Sequence, residues 1–314
     1  MTTEAASGHN QPRRIALIGF GEVGTRFAEG LIASGRHDVA AYDILFDDRR
    51  EAPRLRAKAR ELKVEACASP AAAIAGARIV ISAVTASSAQ EAAHEAAKHM
   101  GPGQFFLDIN SVSPETKRAD EAAIVKSGAA YVEAAVMAAI APYGLKVPML
   151  LGGKPAAELA TILNPAGMKM EPVAAIVGQA SAIKMCRSVM IKGIEALVVE
   201  GFLAARHYGV EDKVIASLDE TFPGMNWNRQ VGYMLERVLI HGRRRAAEMR
   251  EAADTVAAAG LEPLMSTATA RRQDWLADQA AALPALKAAP EGEWRASLDQ
   301  ILKRLKLASA KAAE

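Results

Sequence analysis

From Arg14 to about Val177, short runs of β-branched and apolar residues alternate with alanine-rich stretches of helical period. Strands are predicted over Arg14 to Ile18, Asp38 to Tyr42, Arg78 to Val84, Gln104 to Ile109 and Ala130 to Glu133, with a hairpin strand over Val147 to Leu151. Helices are predicted between them over 24–34, 49–62, 87–100 and 115–127. That alternation is the pattern of a parallel sheet covered on both faces. After Gly178 the strand signals stop, and long stretches of helical period run over 178–208, 226–259 and 293–308. Gly209, Pro223-Gly224 and Gly260 fall where those helices should end. The predicted organisation is therefore a loose arm over 1–13, an α/β domain over 14–177, and an all-α domain over 178–314 that opens with a long helix. No fixed-period repeat interrupts it.

Composition agrees with two domains: 314 residues, 51% hydrophobic and 24% charged, can fill two ordinary cores. A formal net charge of +2 supplies no basic field for nucleic acid. The polar segment before Arg14 lacks the apolar stretch of a secretory signal, and no apolar run approaches the roughly 20 residues of a membrane-spanning helix. The two cysteines, Cys67 and Cys186, form no disulfide framework, and with six scattered histidines they offer no metal-site spacing. The expected protein is cytoplasmic, without a bound metal, membrane or nucleic-acid partner.

Candidate chemistry begins at the first strand. Ile15 to Ile18 runs directly into Gly19-Phe20-Gly21-Glu22-Val23-Gly24 and then into a helix. In such a loop Gly19 makes the tight turn, Gly21 lets the backbone approach a pyrophosphate, and Gly24 lets helix pack on strand, while the helix N-terminal amides hold the phosphates. The second strand ends in Asp43, at the distance where a carboxylate meets the adenosine ribose and repels a 2′-phosphate. The order is that of a Rossmann doubly wound sheet, with Val84 and Thr85 completing the expected cofactor-binding set. NAD is favoured by Asp43, and NADP is the alternative that Arg49 and Arg50 would support.

Two further segments carry polar groups to ligand-binding positions. Phe106-Leu-Asp108-Ile-Asn110-Ser111-Val112-Ser113-Pro114 ends a strand in a turn. Ser113 followed by Pro114 reads as a helix N-cap, and the same turn, with its hydroxyls and free amides, is a socket for a carboxylate. Gly178 then opens the long helix, with Lys184 among alanine, isoleucine, methionine and cysteine. Burial there would lower the lysine pKa toward the range useful for proton transfer. Ser188 and Lys192 follow on the same helix face, with Glu195 near it.

Taken in order, Gly19-x-Gly21-x-x-Gly24, Asp108-x-Asn110-Ser111-x-Ser113-Pro114, and Gly178 followed by Lys184 resemble the β-hydroxyacid dehydrogenases, which include 3-hydroxyisobutyrate and 6-phosphogluconate dehydrogenases. Beyond Val210, His241-Gly-Arg-Arg-Arg-Ala-Ala-Glu248 resembles a less characterised branch with a phosphogluconate-dehydrogenase-like C-terminal domain. The resemblance implies that Lys184 is the catalytic acid/base and that Ser111 to Ser113, Val112 included, bind a substrate carboxylate. Where the family has an asparagine four residues after the lysine, this chain has Ser188. Where it has a glycine-rich substrate loop, this chain has Glu133-Ala-Ala-Val-Met137-Ala-Ala-Ile140-Ala-Pro142. That replacement reads as a more apolar wall for a larger substrate, or as core packing. In place of a late helical lysine the chain offers Ala247-Glu248; Arg243 to Arg245 either replace its charge or form an exposed face with Arg244 paired to Glu248, the second being favoured. Asn226-Trp227-Asn228 and Tyr233 either line the pocket or, as favoured, start a helix and fill core.

The implied function is hydride transfer between a nicotinamide cofactor and a β-hydroxy acid held where the helical half closes on the first domain, in a homodimer. The alternatives are an imine reductase, a decarboxylating dehydrogenase, or a non-catalytic NAD-binding module.

Overall fold

A computed structural model describes residues 14–35, 38–288 and 292–313; the arm expected over 1–13 lies outside the described residues. The chain divides into two compact units, residues 1–184 and 185–314.

The first unit is built on an eight-stranded sheet in the order β3-β2-β1-β4-β5-β6-β7-β8. Its elements in chain order are β1 (Arg14–Ile18), α1 (Glu22–Ala33), β2 (Asp38–Tyr42), α2 (Ala52–Glu61), β3 (Glu65–Ala66), α3 (Pro70–Ile74) and β4 (Ile79–Ser82). Then come α4 (Ala89–Ala97), β5 (Phe105–Asp108), α5 (Pro114–Lys126), β6 (Ala130–Val136), β7 (Pro148–Gly152), α6 (Ala156–Leu163) and β8 (Lys169–Ala174).

The side-chain period of two, with both faces of the sheet covered, explains why the central strands carry apolar residues at successive positions, up to the polar carboxyl ends of β4 and β5. Ile15, Leu17, Ile79, Ile81, Phe105 and Leu107 point to one face and join α1, α2 and α6 in one core. Ala16, Ile18, Val80, Phe106 and Tyr131 point to the other and meet α3, α4 and α5. Burying each of the larger residues contributes about 1.5–3 kcal/mol. All pairings are parallel except β6 with β7, where a hairpin reverses the chain. The sheet is thus mostly rather than wholly parallel, and two strands lie outside the predicted set. β3 has only two residues, and β8 contains Pro172 with a largely exposed pattern, so neither carries a period long enough to read.

The second unit is helical. α7 (Gln179–Tyr208) spans the division, followed by α8 (Glu211–Thr221), α9 (Trp227–Ala258), α10 (Leu264–Ala282) and α11 (Trp294–Ala313). Trp227, Val231, Leu235 and Val238 recur on one face of α9 and pack with Val199 and Phe202 of α7, Leu276 of α10, and Trp294 and Ile301 of α11. Asn226 caps α9 by accepting the Arg229 amide at 3.0 Å. Trp227 fills core, whereas Tyr233 is half exposed beside Arg237. Gly209, Gly224 and Gly260 all have positive φ at helix ends. Among the described residues, no helix is long and apolar enough to cross a membrane.

Candidate cofactor and substrate site

Strand order places the candidate site. β1 lies between β2 and β4, so the chain leaves β1 in one direction along the sheet and later returns on its other side. Ligands of open α/β sheets bind beyond the carboxyl ends of strands at such a reversal. Register aligns those ends, because Ile18 pairs with Ser82 and Ser82 with Asp108. The glycine loop, the Val84-Thr85 turn and the Asn110 to Ser113 turn therefore emerge side by side.

Steric demand explains two of the loop glycines. Gly19 has φ +99°, and a Cβ there would lie 2.4 Å from the Ala83 carbonyl oxygen. A Cβ on Gly24 would lie 2.1 Å from the Gly19 oxygen, so helix and loop touch backbone to backbone. At Gly21 the same atom would meet nothing within 4 Å, and no side chain caps the first turn of α1 there. Open space over uncapped helix amides fits the pyrophosphate of a dinucleotide. Gly21 and Glu22 are exposed and Val23 is half-buried. Phe20 behaves differently: its ring is buried against Phe46, with centroids 5.8 Å apart, and its amide donates to Asp43 Oδ2 at 2.6 Å. Asp43 also accepts the Leu45 amide at 2.8 Å on Oδ1. The acid expected to face a ribose thus also pins the glycine loop to the end of β2, with a second lone pair left on each oxygen.

Asn110 ties the next two turns together. Its Oδ1 accepts the Val84 amide at 2.8 Å and its Nδ2 donates to Ser82 Oγ at 2.9 Å. Thr85, at the surface, shares hydroxyl contacts of 3.1 Å with Ser87 and Ser88. The two serines of the following turn divide their work. Ser113 caps α5, accepting the Thr116 amide at 3.3 Å. Ser111 Oγ is buried with no hydrogen-bond partner among the described residues. An orphaned hydroxyl beside the sheet's carboxyl edge suits an incoming acceptor such as a carboxylate. Val112 is buried.

Beneath this edge lies a polar cluster absent from the predicted set. Lys117 Nζ reaches Asp108 Oδ1 at 2.8 Å and the Asp108 carbonyl at 2.9 Å, both side chains being 1% exposed. Tyr131 donates to Asp108 Oδ2 at 2.8 Å, and the Asn110 amide donates to Oδ1 at 2.9 Å. Asp120, fully buried, has no donor on either oxygen. Burial first, and then the Asp108 charge, push its carboxyl up to about 7 against the pull of Lys117. Burial and Asp108 likewise raise the Tyr131 phenol well above its ordinary value.

The start of α7 is held by another acid from the sheet. Glu133 of β6 is wholly buried and accepts the amides of Gly178 at 2.7 Å, Ala180 at 3.1 Å and Ser181 at 3.3 Å. Its visible signal is a single acid inside the apolar run Tyr131-Val-Glu-Ala-Ala-Val136. Lys184 is half-buried on α7, Ser188 is 7% exposed and Met137 is half-buried, with its amide on the Pro148 carbonyl at 2.9 Å.

Within the helical unit the reading of residues 243–248 is corrected. Arg244 does pair with Glu248, at 3.2 Å, but Glu248 also takes Lys192 Nζ at 2.5 Å, and Lys192 is 6% exposed. Arg245 is buried too and pairs with Glu195, which Arg237 reaches at 3.3 Å. Only Arg243 and Arg244 lie at the surface, Arg243 on Asp274 and Asp278. A helix of 3.6 residues per turn cannot keep three consecutive arginines on one face. Burial pulls the Lys192 ammonium below the ordinary lysine range, with Glu248 opposing. Among the described residues no group of three His, Cys, Asp or Glu side chains is placed to hold a metal.

Comparison with known proteins agrees with this architecture. Residues 14–172 match the NAD binding domain of 6-phosphogluconate dehydrogenase, and residues 205–276 match a domain of unknown function, DUF1932. An uncharacterized 28.5 kDa protein in the 7S RNA 5′ region of Methanothermus fervidus is 30% identical over 260 residues, 82% of this chain and 96% of that one. The solved structure of a conserved hypothetical protein from Sinorhizobium meliloti is 39% identical, with a TM-score of 0.77 over 96% of this chain and 100% of the other. Mycobacterium tuberculosis 3-hydroxyisobutyrate dehydrogenase, solved with L-serine, shares the fold at 19% identity, with a TM-score of 0.69 over 92% of this chain and 99% of the other.

Proposed function

The chain belongs to the family that carries the NAD binding domain of 6-phosphogluconate dehydrogenase, within the hydroxyacid dehydrogenase superfamily, and from that premise we propose that it is a cytoplasmic oxidoreductase acting on a β-hydroxy acid. The observation that carries the reading is the side-by-side emergence of the glycine loop and the orphaned Ser111 hydroxyl at the reversal of the sheet. Gly19 to Gly24 and the first amides of α1 would hold the cofactor's phosphates. Asp43 would accept its ribose hydroxyls, favouring NAD over NADP because a 2′-phosphate would meet a carboxylate. When bound, the nicotinamide supplies the hydride acceptor or donor.

The chain's own residues do the rest. Ser111 Oγ and the neighbouring Val112 backbone receive the substrate carboxylate, while Ser113 keeps the turn rigid by capping α5. Lys184 Nζ takes the proton from the substrate hydroxyl in the oxidative direction and returns it in the reductive one. Ser188, one helical turn further along α7, offers a hydroxyl on the same helix face. It stands in for an asparagine with shorter reach and without an amide's paired donor and acceptor. Met137 and the alanines after it form a wall for a more apolar substrate than a three-carbon acid, in a homodimer.

The test is absorbance at 340 nm with NAD or NADP across a panel of β-hydroxy acids, related alcohols and imines. Turnover of a hydroxy acid that falls about 10³-fold in Lys184→Ala, with NADH affinity kept, is the expected outcome. Near-normal turnover in that variant rejects Lys184 as the proton carrier. NADH binding without turnover of any panel member identifies a binding module instead.

A further inference from the structure

We propose that Glu133 is the positioning residue of the catalytic helix: a carboxylate set in the sheet that fixes where α7 begins and so where Lys184 stands. The inference rests on the assignment of Lys184 above and adds what holds it.

An α-helix leaves its first amides without intrahelical acceptors, and a side-chain oxygen at the N-cap ordinarily takes those of the second or third helical residue. α7 begins at Gln179, so the N-cap position falls on Gly178, which has no side chain. Glu133, 45 residues earlier, does that work. It takes Ala180 and Ser181, the second and third helical residues, and the Gly178 amide as well. Its negative charge also faces the positive end of the helix.

The surroundings are cut to this arrangement. Glu133 pairs in register with Asp108 on β5 and Gly152 on β7. A Cβ on Gly152 would lie 2.3 Å from Glu133 Oε1, so glycine there leaves the space that the carboxylate occupies. Gly178 adopts φ +101°, and a Cβ on it would lie 2.9 Å from Arg118 Nη2. Ser181, itself 2% exposed, closes the turn by donating to the Gly178 carbonyl at 3.1 Å. α7 is therefore tied to the strand beside β5, whose end carries Ser111. Lys184 follows three residues after the last capped amide, less than one helical turn away.

A buried acid that only stabilised the unit would affect folding but not the reactivity of one lysine. The experiment compares wild type with Glu133→Ala, Glu133→Gln and Gly152→Ala in the full chain. Amide hydrogen exchange is followed over 178–182, acetic anhydride labelling of Lys184 is normalised to exposed Lys98, and NADH affinity and turnover are measured. Expected for Glu133→Ala are exchange about tenfold faster at Gly178, Ala180 and Ser181, Lys184 labelling shifted about threefold against Lys98, NADH affinity unchanged, and kcat down about tenfold or more. Glu133→Gln, which keeps one acceptor oxygen, falls between Ala and wild type and serves if Glu133→Ala does not fold. Gly152→Ala reproduces the effect by displacing the carboxylate. Unchanged Lys184 labelling, or unchanged kcat despite faster exchange, overturns the proposal. If Lys184→Ala retains turnover, the catalytic assignment fails, and labelling and exchange alone then decide whether Glu133 places the lysine.

Discussion

Each unit buries a cluster of charged side chains, and the two are built on opposite plans. In the α/β unit, Asp108 at the end of β5 is reached by Lys117 of α5, by Tyr131 of the neighbouring strand β6 and by the Asn110 amide. Acids outnumber bases there, and burial first, then the Asp108 charge, push the Asp120 carboxyl up to about 7. In the helical unit bases outnumber acids: Lys192 and Arg244 face Glu248, and Arg245 and Arg237 face Glu195, all from α7 and α9. There the strain of burial falls on the lysine. The acid-rich cluster thus leaves a carboxyl of α5 without a donor, and the base-rich one leaves a lysine below its ordinary range.

The comparison is most easily broken at Lys117. Lys117→Met leaves Asp108 buried without its cation and should destabilise the α/β unit by about 4 kcal/mol. Hydrogen exchange of β4 and β5 reports the loss. All three tryptophans, Trp227, Trp275 and Trp294, lie in the helical unit, so tryptophan fluorescence against urea should leave its midpoint in place if the two units unfold separately.

Glu248→Gln is the counterpart and should destabilise the helical unit by about 3 kcal/mol, read by that same fluorescence. Its pH dependence has a definite sign. The folded pKa of Lys192 lies below 10.5, so between the two values the unfolded chain holds the extra proton and stability rises with pH. Removing Glu248 removes a group that raises this pKa, so the rise should begin at lower pH in the variant. A rise that starts at the same pH in both proteins contradicts the pairing.

Asp120 should behave in the opposite sense. Its folded pKa is raised to about 7 from 3.8, so its contribution to stability is fully present below 3.8 and is lost as pH rises through about 7. Asp120→Asn mimics the protonated form and should be more stable than wild type by about 2 kcal/mol at pH 8 and equal to it near pH 3.5. Parallel pH profiles for the two proteins refute the raised value. The smallest effect belongs to Arg243→Ala, whose exposed pairs with Asp274 and Asp278 are screened by water. No resolvable shift in the fluorescence midpoint is expected.

Much of the architecture is legible along the chain, for local reasons. β1, β2 and the glycine loop announce themselves because the apolar run, the turn and the helix start are contiguous. Ser113-Pro114 predicts the start of α5, since capping acts across three residues. α10 has no predicted counterpart, because Ser266, Thr269, Gln273 and Gln279 occupy its buried face and hide the apolar period. At the candidate site, Ser111 and Ser113 look alike in sequence, and only the folded turn shows that one caps and the other is orphaned.

By itself, then, the sequence determined which segments around the glycine loop become strands and helices and where the glycines stand, and it singled out Lys184 as a candidate. Tertiary structure alone decided the partners of the buried charges: Glu133 with the start of α7, Lys192 with Glu248 across 56 residues, and Asp120 with no donor. The physical reason is range. Turns, caps and apolar periods act between residues a few positions apart. The worth of a buried charge depends on whatever the register of distant strands and the packing of distant helices bring within about 3 Å of it.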